Sequence, residues 1–377
     1  MARILFSHAH LTVDGNREYE DGALLVNDEI IEDVFYHSSQ LIINGDYDEI
    51  NLEGKIVMPG FFDSHIHGCF SKSFNVISKD ELNEVSYKLL KKGTTSFLVT
   101  LTNNQNLINE LKALATANTD GSRFLGIHLE GPFINSKYKG SIDEEYIKDY
   151  DEELLNSILS SSAKIKQMTL APENKNSSLL IDKLKNENIK VMLGHSGARQ
   201  EDVNYYDGFT HLFNASKGLH HRETTLVNMA FNNTDKYVEV IADGVHLNLS
   251  ILKLIYKNIR RDRIMLVSDA IMLAGEDDNE FIFENNKCIK KGNKCYRLVD
   301  NKLCGSVSFV IDEIKNMHNV NVPLTDILLM TSLNAYRFYN LDKRFGTLSK
   351  GKYSDIVVLN DDLDLVFTYA RGKIINA

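Results

Sequence analysis

The chain has 377 residues, 43% hydrophobic and 25% charged, a balance that suits one large folded α/β domain with a smaller appendage and excludes a disordered or fibrous chain. Acidic residues outnumber basic ones by 52 to 42, for a formal net charge of −10, which argues against an overall basic nucleic-acid-binding surface while leaving room for a local anion pocket. Four cysteines without a CxxC pair, no N-terminal apolar signal segment and no apolar run long enough to span a bilayer are what a reduced cytoplasmic protein is expected to have.

Residues 1–54 read as the first part of a small sheet. Short β-like pieces at 3–7, 23–26 and 30–36 are broken by the turn signals Asp14-Gly15 and Asn27-Asp28. From 55 to 346, apolar strand-like runs alternate with helical stretches, the pattern of βα units around a parallel sheet. Eight strands are expected there, over 56–67, 94–101, 124–130, 165–171, 189–195, 209–213, 237–246 and 264–269. Eight is the number that closes a barrel. From 347 to 377 the β style of the start returns, in 354–359 and 364–369 followed by Arg371-Gly372-Lys373, so the two terminal segments are expected to combine into one domain.

Residues that could hold a metal, Asp63, His65, His67, His195 and His211, each lie at or just past the end of an apolar run. In a parallel barrel the chemistry sits at the carboxyl ends of the strands, where the loops converge. His65 and His67 alternate onto one face of a strand and can share an ion, although a lone HxH is common in strands that bind nothing. Glu130 ends the apolar strand Gly126-Ile127-His128-Leu129-Glu130 before a Gly-Pro break; read alone it is a helix cap or a surface acid. With His195 and His211 it makes one carboxylate and two imidazoles, a ligand set that leaves a position open for water. His128 shares the face of Glu130 but lies deeper, and is read as a satisfied core histidine; Cys69 is read as a small buried hydrophobe. Asp269 follows Met265-Leu266-Val267-Ser268, where an ionised side chain needs a metal, a histidine or a proton, and it is the natural general base.

The series Pro59-Gly60-Phe61-Phe62-Asp63-Ser64-His65-Ile66-His67-Gly68, Gly93-Thr94-Thr95-Ser96-Phe97, His128-Leu129-Glu130-Gly131-Pro132-Phe133, Leu170-Ala171-Pro172-Glu173, Gly194-His195, His211-Leu212-Phe213-Asn214-Ala215, His220-His221-Arg222-Glu223, Ala242-Asp243-Gly244-Val245-His246, Ser268-Asp269-Ala270 and Gly305-Ser306 resembles, in this order and over nearly the whole chain, the N-acetylglucosamine-6-phosphate deacetylase family of the amidohydrolase superfamily. The resemblance implies an α/β fold, a TIM (β/α)8 barrel with a small β-sandwich domain formed from both termini. It implies removal of acetate from the amide nitrogen of a phosphorylated amino sugar. Glu130, His195 and His211 match the main ligands of a divalent metal, zinc first with iron or another divalent ion as alternatives, and His65 and His67 match a pair that admits a second ion in some members. Asp269 matches the proton-transferring aspartate. Ser141, Ile142, Asn214, Ala215, Arg222, Asp243, His246 and the loop Leu303-Cys304-Gly305 fall at substrate-binding positions, some of which reach a neighbouring subunit, so a homodimer is expected.

The chain departs from the family pattern in Cys69-Phe70-Ser71-Lys72-Ser73-Phe74, in Thr224-Thr225 and at Ile142, where backbone contact is the expectation. Four other readings compete. A cyclic amidase needs a bridging lysine where this chain has Leu170-Ala171-Pro172-Glu173, and a deaminase needs a glutamate near His195, which Ser196-Gly197-Ala198 follows. A non-catalytic oligomeric scaffold would have lost ligands, and none is missing. Another amidohydrolase acting on a related amide or amino sugar stays open.

Overall fold

The protein is described here as a computed structural model covering residues 3–233, 235–283 and 286–377. Its organisation turns on Gly60, which divides the first apolar run between two sheets. The single strand expected over 56–67 is two: Ile56–Pro59 pairs with Ile356–Leu359 and Arg3–Thr12, and Phe61–Ile66 opens the barrel. A Cβ at Gly60 would come within 2.3 Å of the Thr95 side chain, so only glycine lets the chain pass so close to the neighbouring strand.

The barrel strands follow one another in chain order, all parallel: Phe61–Ile66, Thr94–Thr102, Arg123–Glu130, Ile165–Leu170, Lys190–Leu193, Gly208–Phe209, Tyr237–Val240 and Ile264–Leu266. Backbone bonds from Asp269 N to His65 O (2.8 Å) and from His67 N to Ala270 O (2.8 Å) close the eighth strand onto the first. Four of the last strands are shorter than the apolar runs suggested. In three of them the reason is local: His195 (φ 48°), His211 (φ 28°) and Asp269 (φ 47°) have left-handed backbones, which end the ladder just before the residues that carry the chemistry. Outside, helices bury one apolar face each; Lys79–Leu90, started by a Ser78–Glu81 capping box, buries Leu82, Val85, Leu89 and Leu90. Among the described residues no helix is long and apolar enough to cross a membrane.

The two chain ends build one eight-stranded mixed sheet, with Ile356–Leu359 and Ile56–Pro59 at its centre. It curls into a sandwich. Phe6 lies three strand positions from Leu365–Ala370, about 14 Å in a flat sheet, yet its ring is 5.9 Å from Phe367 and 5.5 Å from Tyr369. These rings share a buried cluster with Leu11, Leu24, Val57 and Val358. A further three-stranded antiparallel sheet, Glu280–Phe283, Asn286–Lys291 and Lys294–Arg297, is inserted between the last barrel strand and the helix Val310–Asn319. The sequence reading did not include it, because its polar, lysine-rich alternation resembles loop.

Arg123, at the start of the third barrel strand, ties the barrel to the terminal sheet. Its guanidinium donates to Asp355 Oδ2 (2.7 Å) and Oδ1 (3.2 Å) and to Glu29 Oε2 (2.7 Å), and stacks 4.1 Å from the Tyr353 ring centroid. Burial pushes the Asp355 carboxyl up against the pull of this arginine. Arg123→Ala leaves a buried carboxylate without its cation and is expected to cost about 3–5 kcal/mol, read from urea unfolding. A loss below about 1 kcal/mol, as for an exposed pair, would show that the clamp does not hold the two domains.

Candidate metal centre

Six side chains converge at the carboxyl end of the barrel. Glu130 ends its strand, His65 lies within the first strand, and His67, His195, His211 and Asp269 stand just past strand ends. Glu130 Oε1 is 3.0 Å from His195 Nε2 and 3.0 Å from His211 Nε2, and those two nitrogens are 3.0 Å apart. His195 Nδ1 donates to the Tyr138 carbonyl (2.9 Å), which leaves Nε2 as a bare lone pair facing the other two. Gly140 (φ 59°) lets the loop carrying Tyr138 pass so near that a Cβ would lie 3.3 Å from His195 Cε1. Three donor atoms about 3 Å apart suit ligand bonds of about 2.0–2.2 Å to one small cation. The residues therefore fit a divalent metal.

A second group adjoins the first. His65 Nε2, His67 Nε2 and Asp269 Oδ1 lie 3.2–3.3 Å from one another, and Glu130 bridges the groups, with Oε1 3.4 Å from His65 Nε2 and Oε2 3.2 Å from His67 Nε2. Burial disfavours charge on the imidazoles, but Glu130 and Asp269 outweigh it and push His65 up to about 9 and His67 up to about 10. Burial likewise opposes ionisation of Asp269 and Glu130, and the facing histidines overcome it, lowering both. Both carboxylates are thus ionised at neutral pH and call for positive charge between them.

Asp63 does not join either group. Its Oδ1 accepts from the amides of Ser268 (3.2 Å) and His65 (3.4 Å), so it ties the first and eighth strand ends together, and its burial pushes it up to about 6. His128 sits below the site with Nε2 2.8 Å from Thr169 Oγ1 and Nδ1 3.3 Å from Thr100 Oγ1, a satisfied core histidine. Burial drives its pKa well down, so it stays neutral beside the charged pair.

A cavity opens over these groups, lined by His67, Glu130, His195, His211 and Asp269 and also by Ser141, Ile142, Asn214, Ala215, His246, Leu303 and Gly305. Asp243 stands behind His246, accepting from Nδ1 at 2.7 Å and from the amides of Val245 and His246 at 2.8 Å. Cys304 is buried beside Cys295 and does not line the cavity. Arg222 is exposed and does not line it either. Sequence reasoning missed four lining residues, Thr102, Gly140, Ile271 and Phe283, the last from the inserted sheet, whose Arg297 donates to Gly140 O at 3.3 Å. It also missed Glu239, fully buried and 3.1 Å from His65 Nδ1, although an acid inside Tyr237-Val238-Glu239-Val240 was a readable signal.

A carboxylate and imidazoles at the mouth of a closed (β/α)8 barrel define a divalent-metal site of hydrolase type. The chain belongs to the amidohydrolase family, whose family model matches residues 56–375. It is similar to the N-acetylglucosamine-6-phosphate deacetylase of Bacillus subtilis (strain 168), 32% identical over 85% of this chain and 84% of that protein. The enzyme of the same name from Haemophilus influenzae is 30% identical over 94% of both chains. Among solved structures, the N-acetylglucosamine-6-phosphate deacetylase from Pasteurella multocida superposes with a TM-score of 0.90 at 26% identity, covering 100% of each chain.

The raised imidazoles set a pH signature for metal-stripped protein. A folded pKa above the unfolded value stabilises fully below about 6.5 and is lost as pH rises through about 9 to 10. The Tm of chelated protein is therefore expected to fall across that alkaline window, and added divalent metal to restore it. A Tm of stripped protein that is flat from pH 6.5 to 10 would contradict this charge balance.

Proposed function

We propose that the protein hydrolyses N-acetylglucosamine 6-phosphate to glucosamine 6-phosphate and acetate. The observation that carries this is one cavity holding the Glu130, His195 and His211 ligand set, with an ionised Asp269 3.3 Å from His65 and His67. Glu130, His195 and His211 would hold one ion, and His65, His67 and Asp269 a second, with Glu130 adjoining both groups; zinc suits this nitrogen and oxygen set, with iron as the alternative. When bound, a divalent ion supplies Lewis-acid polarisation of the amide carbonyl and an acidified water. Asp269 accepts the proton of the attacking water and delivers it to the sugar nitrogen as the C–N bond breaks, leaving acetate and the free amine. His246, whose Nδ1 is held by Asp243, lines the cavity and contacts the substrate in this reading.

Ser141, Ile142 through its backbone, Asn214, Ala215 and the loop 303–305, through Leu303 and Gly305, enclose the sugar phosphate in this reading. Exposed Arg222 offers a planar fork for phosphate oxygens, and because it does not line its own cavity it is assigned to the site of a neighbouring subunit in a homodimer. The four cysteines, all unpaired and buried, suit the reducing cytoplasm.

Acetate release should be strong from N-acetylglucosamine 6-phosphate and weak from the unphosphorylated sugar; no release from either by metal-loaded protein would reject the reading. Asp269→Asn is expected to lower kcat about 10²–10⁴-fold while the ion at Glu130 is kept, and near-normal turnover would remove Asp269 from its role. Elemental analysis after reconstitution should count two ions per chain, and one ion in excess metal would reject the binuclear site. Arg222→Ala should raise KM for the phosphorylated substrate about ten- to hundredfold. Mixed dimers of Arg222→Ala and Asp269→Asn subunits should regain activity, which they cannot do if Arg222 serves its own site.

A further inference from the structure

We infer that Glu239 is a positioning residue that sets the affinity of the second ion, acting through His65; this rests on the two-ion reading above. Glu239 projects from the seventh barrel strand and is fully buried, in an interior that barrels ordinarily fill with apolar side chains. A carboxylate there is costly unless both oxygens are hydrogen-bonded. Both are: Oε2 is 3.1 Å from His65 Nδ1, and Oε1 accepts from Gln167 Nε2 at 2.7 Å. Among the described residues no lysine or arginine ion-pairs with it.

The orientation of this relay is set by the carboxylate, which can only accept: Oε1 takes the Gln167 amide N–H and Oε2 the His65 Nδ1–H. Gln167 Oε1 in turn lies 2.6 Å from Tyr339 OH, which ends the relay. Nε2, the nitrogen that gives up its proton to an ion, faces His67 Nε2 (3.2 Å) and Asp269 Oδ1 (3.3 Å), the other members of the second ligand group. Among the described residues the first group has no such anion behind it: His195 Nδ1 faces the neutral carbonyl of Tyr138, and His211 Nδ1 has no hydrogen-bond partner. A carboxylate behind a histidine strengthens it as a ligand, and losing such a partner typically costs ten- to hundredfold in metal affinity. Glu239 does not line the cavity, so its role is separate from substrate contact.

The test counts and titrates metal rather than turnover. Metal-stripped wild type, Glu239→Gln and Tyr339→Phe are titrated with zinc against a competing chelator, and bound ions are counted by elemental analysis. Wild type should hold two ions; Glu239→Gln should bind the weaker one about ten- to hundredfold less tightly with the tighter one unchanged. Tyr339→Phe, which removes only the end of the relay, should show a smaller loss confined to the same ion, and it decides the matter if Glu239→Gln does not fold. Unchanged affinities in the folded variants, or equal losses at both ions, would overturn the role of Glu239 while leaving the two-ion reading standing. A wild type that holds a single ion would overturn the two-ion reading, and this inference with it.

Discussion

Glu130 places one carboxylate within 3.0–3.4 Å of nitrogens on four histidines, His195, His211, His67 and His65, in a site nearly closed to solvent. Hydrogen bonds cannot satisfy so many converging lone pairs; protons or metal cations must supply the charge. The rest of the architecture follows from holding these groups together. The closed barrel brings the ends of strands one, three, five, six and eight to one rim, and the Asp63 carboxylate fastens the first to the eighth.

Holding them has a local cost. Three of the six residues, His195, His211 and Asp269, adopt left-handed backbones that non-glycine residues rarely take, a strain of about 1–3 kcal/mol each. The surroundings over-determine it through backbone bonds at each turn, such as Asp269 N to His65 O. A second layer of polar groups, the Tyr138 carbonyl, Glu239 and Asp243, orients His195, His65 and His246, so the direction of two of the ligand imidazoles is set before any ion or substrate arrives.

Much of this was legible in the chain. The βα alternation announced the barrel, and Glu130, His195, His211 and Asp269 stood out because polar residues after apolar runs are conspicuous. The gaps have physical causes. Gly60 hid a change of sheet inside an uninterrupted apolar run, since hydrophobicity does not say which partner a strand pairs with. Asp63 shares the strand of His65 and His67 and looked like a ligand, but hydrogen bonding to Ser268 and His65 amides claimed it. The inserted sheet around Asn286–Lys291 alternates mostly polar residues, a weak signal even when the strands pair well.

The sequence by itself determined the order of the barrel strands, the residue types at their ends and the β character of both termini, because strand alternation and the punctuation after apolar runs are local properties of the chain. Tertiary structure alone decided which of those ends meet. The bond from His65 to Glu239 spans 174 residues, that from Gln167 to Tyr339 spans 172, and Arg123 reaches Asp355 across 232. Such contacts depend on barrel closure and on the curl of the terminal sheet, which sum over many weak preferences rather than following from any short stretch. The same closure buries Glu239 and leaves Arg222 outside, a difference that no local pattern around either residue records.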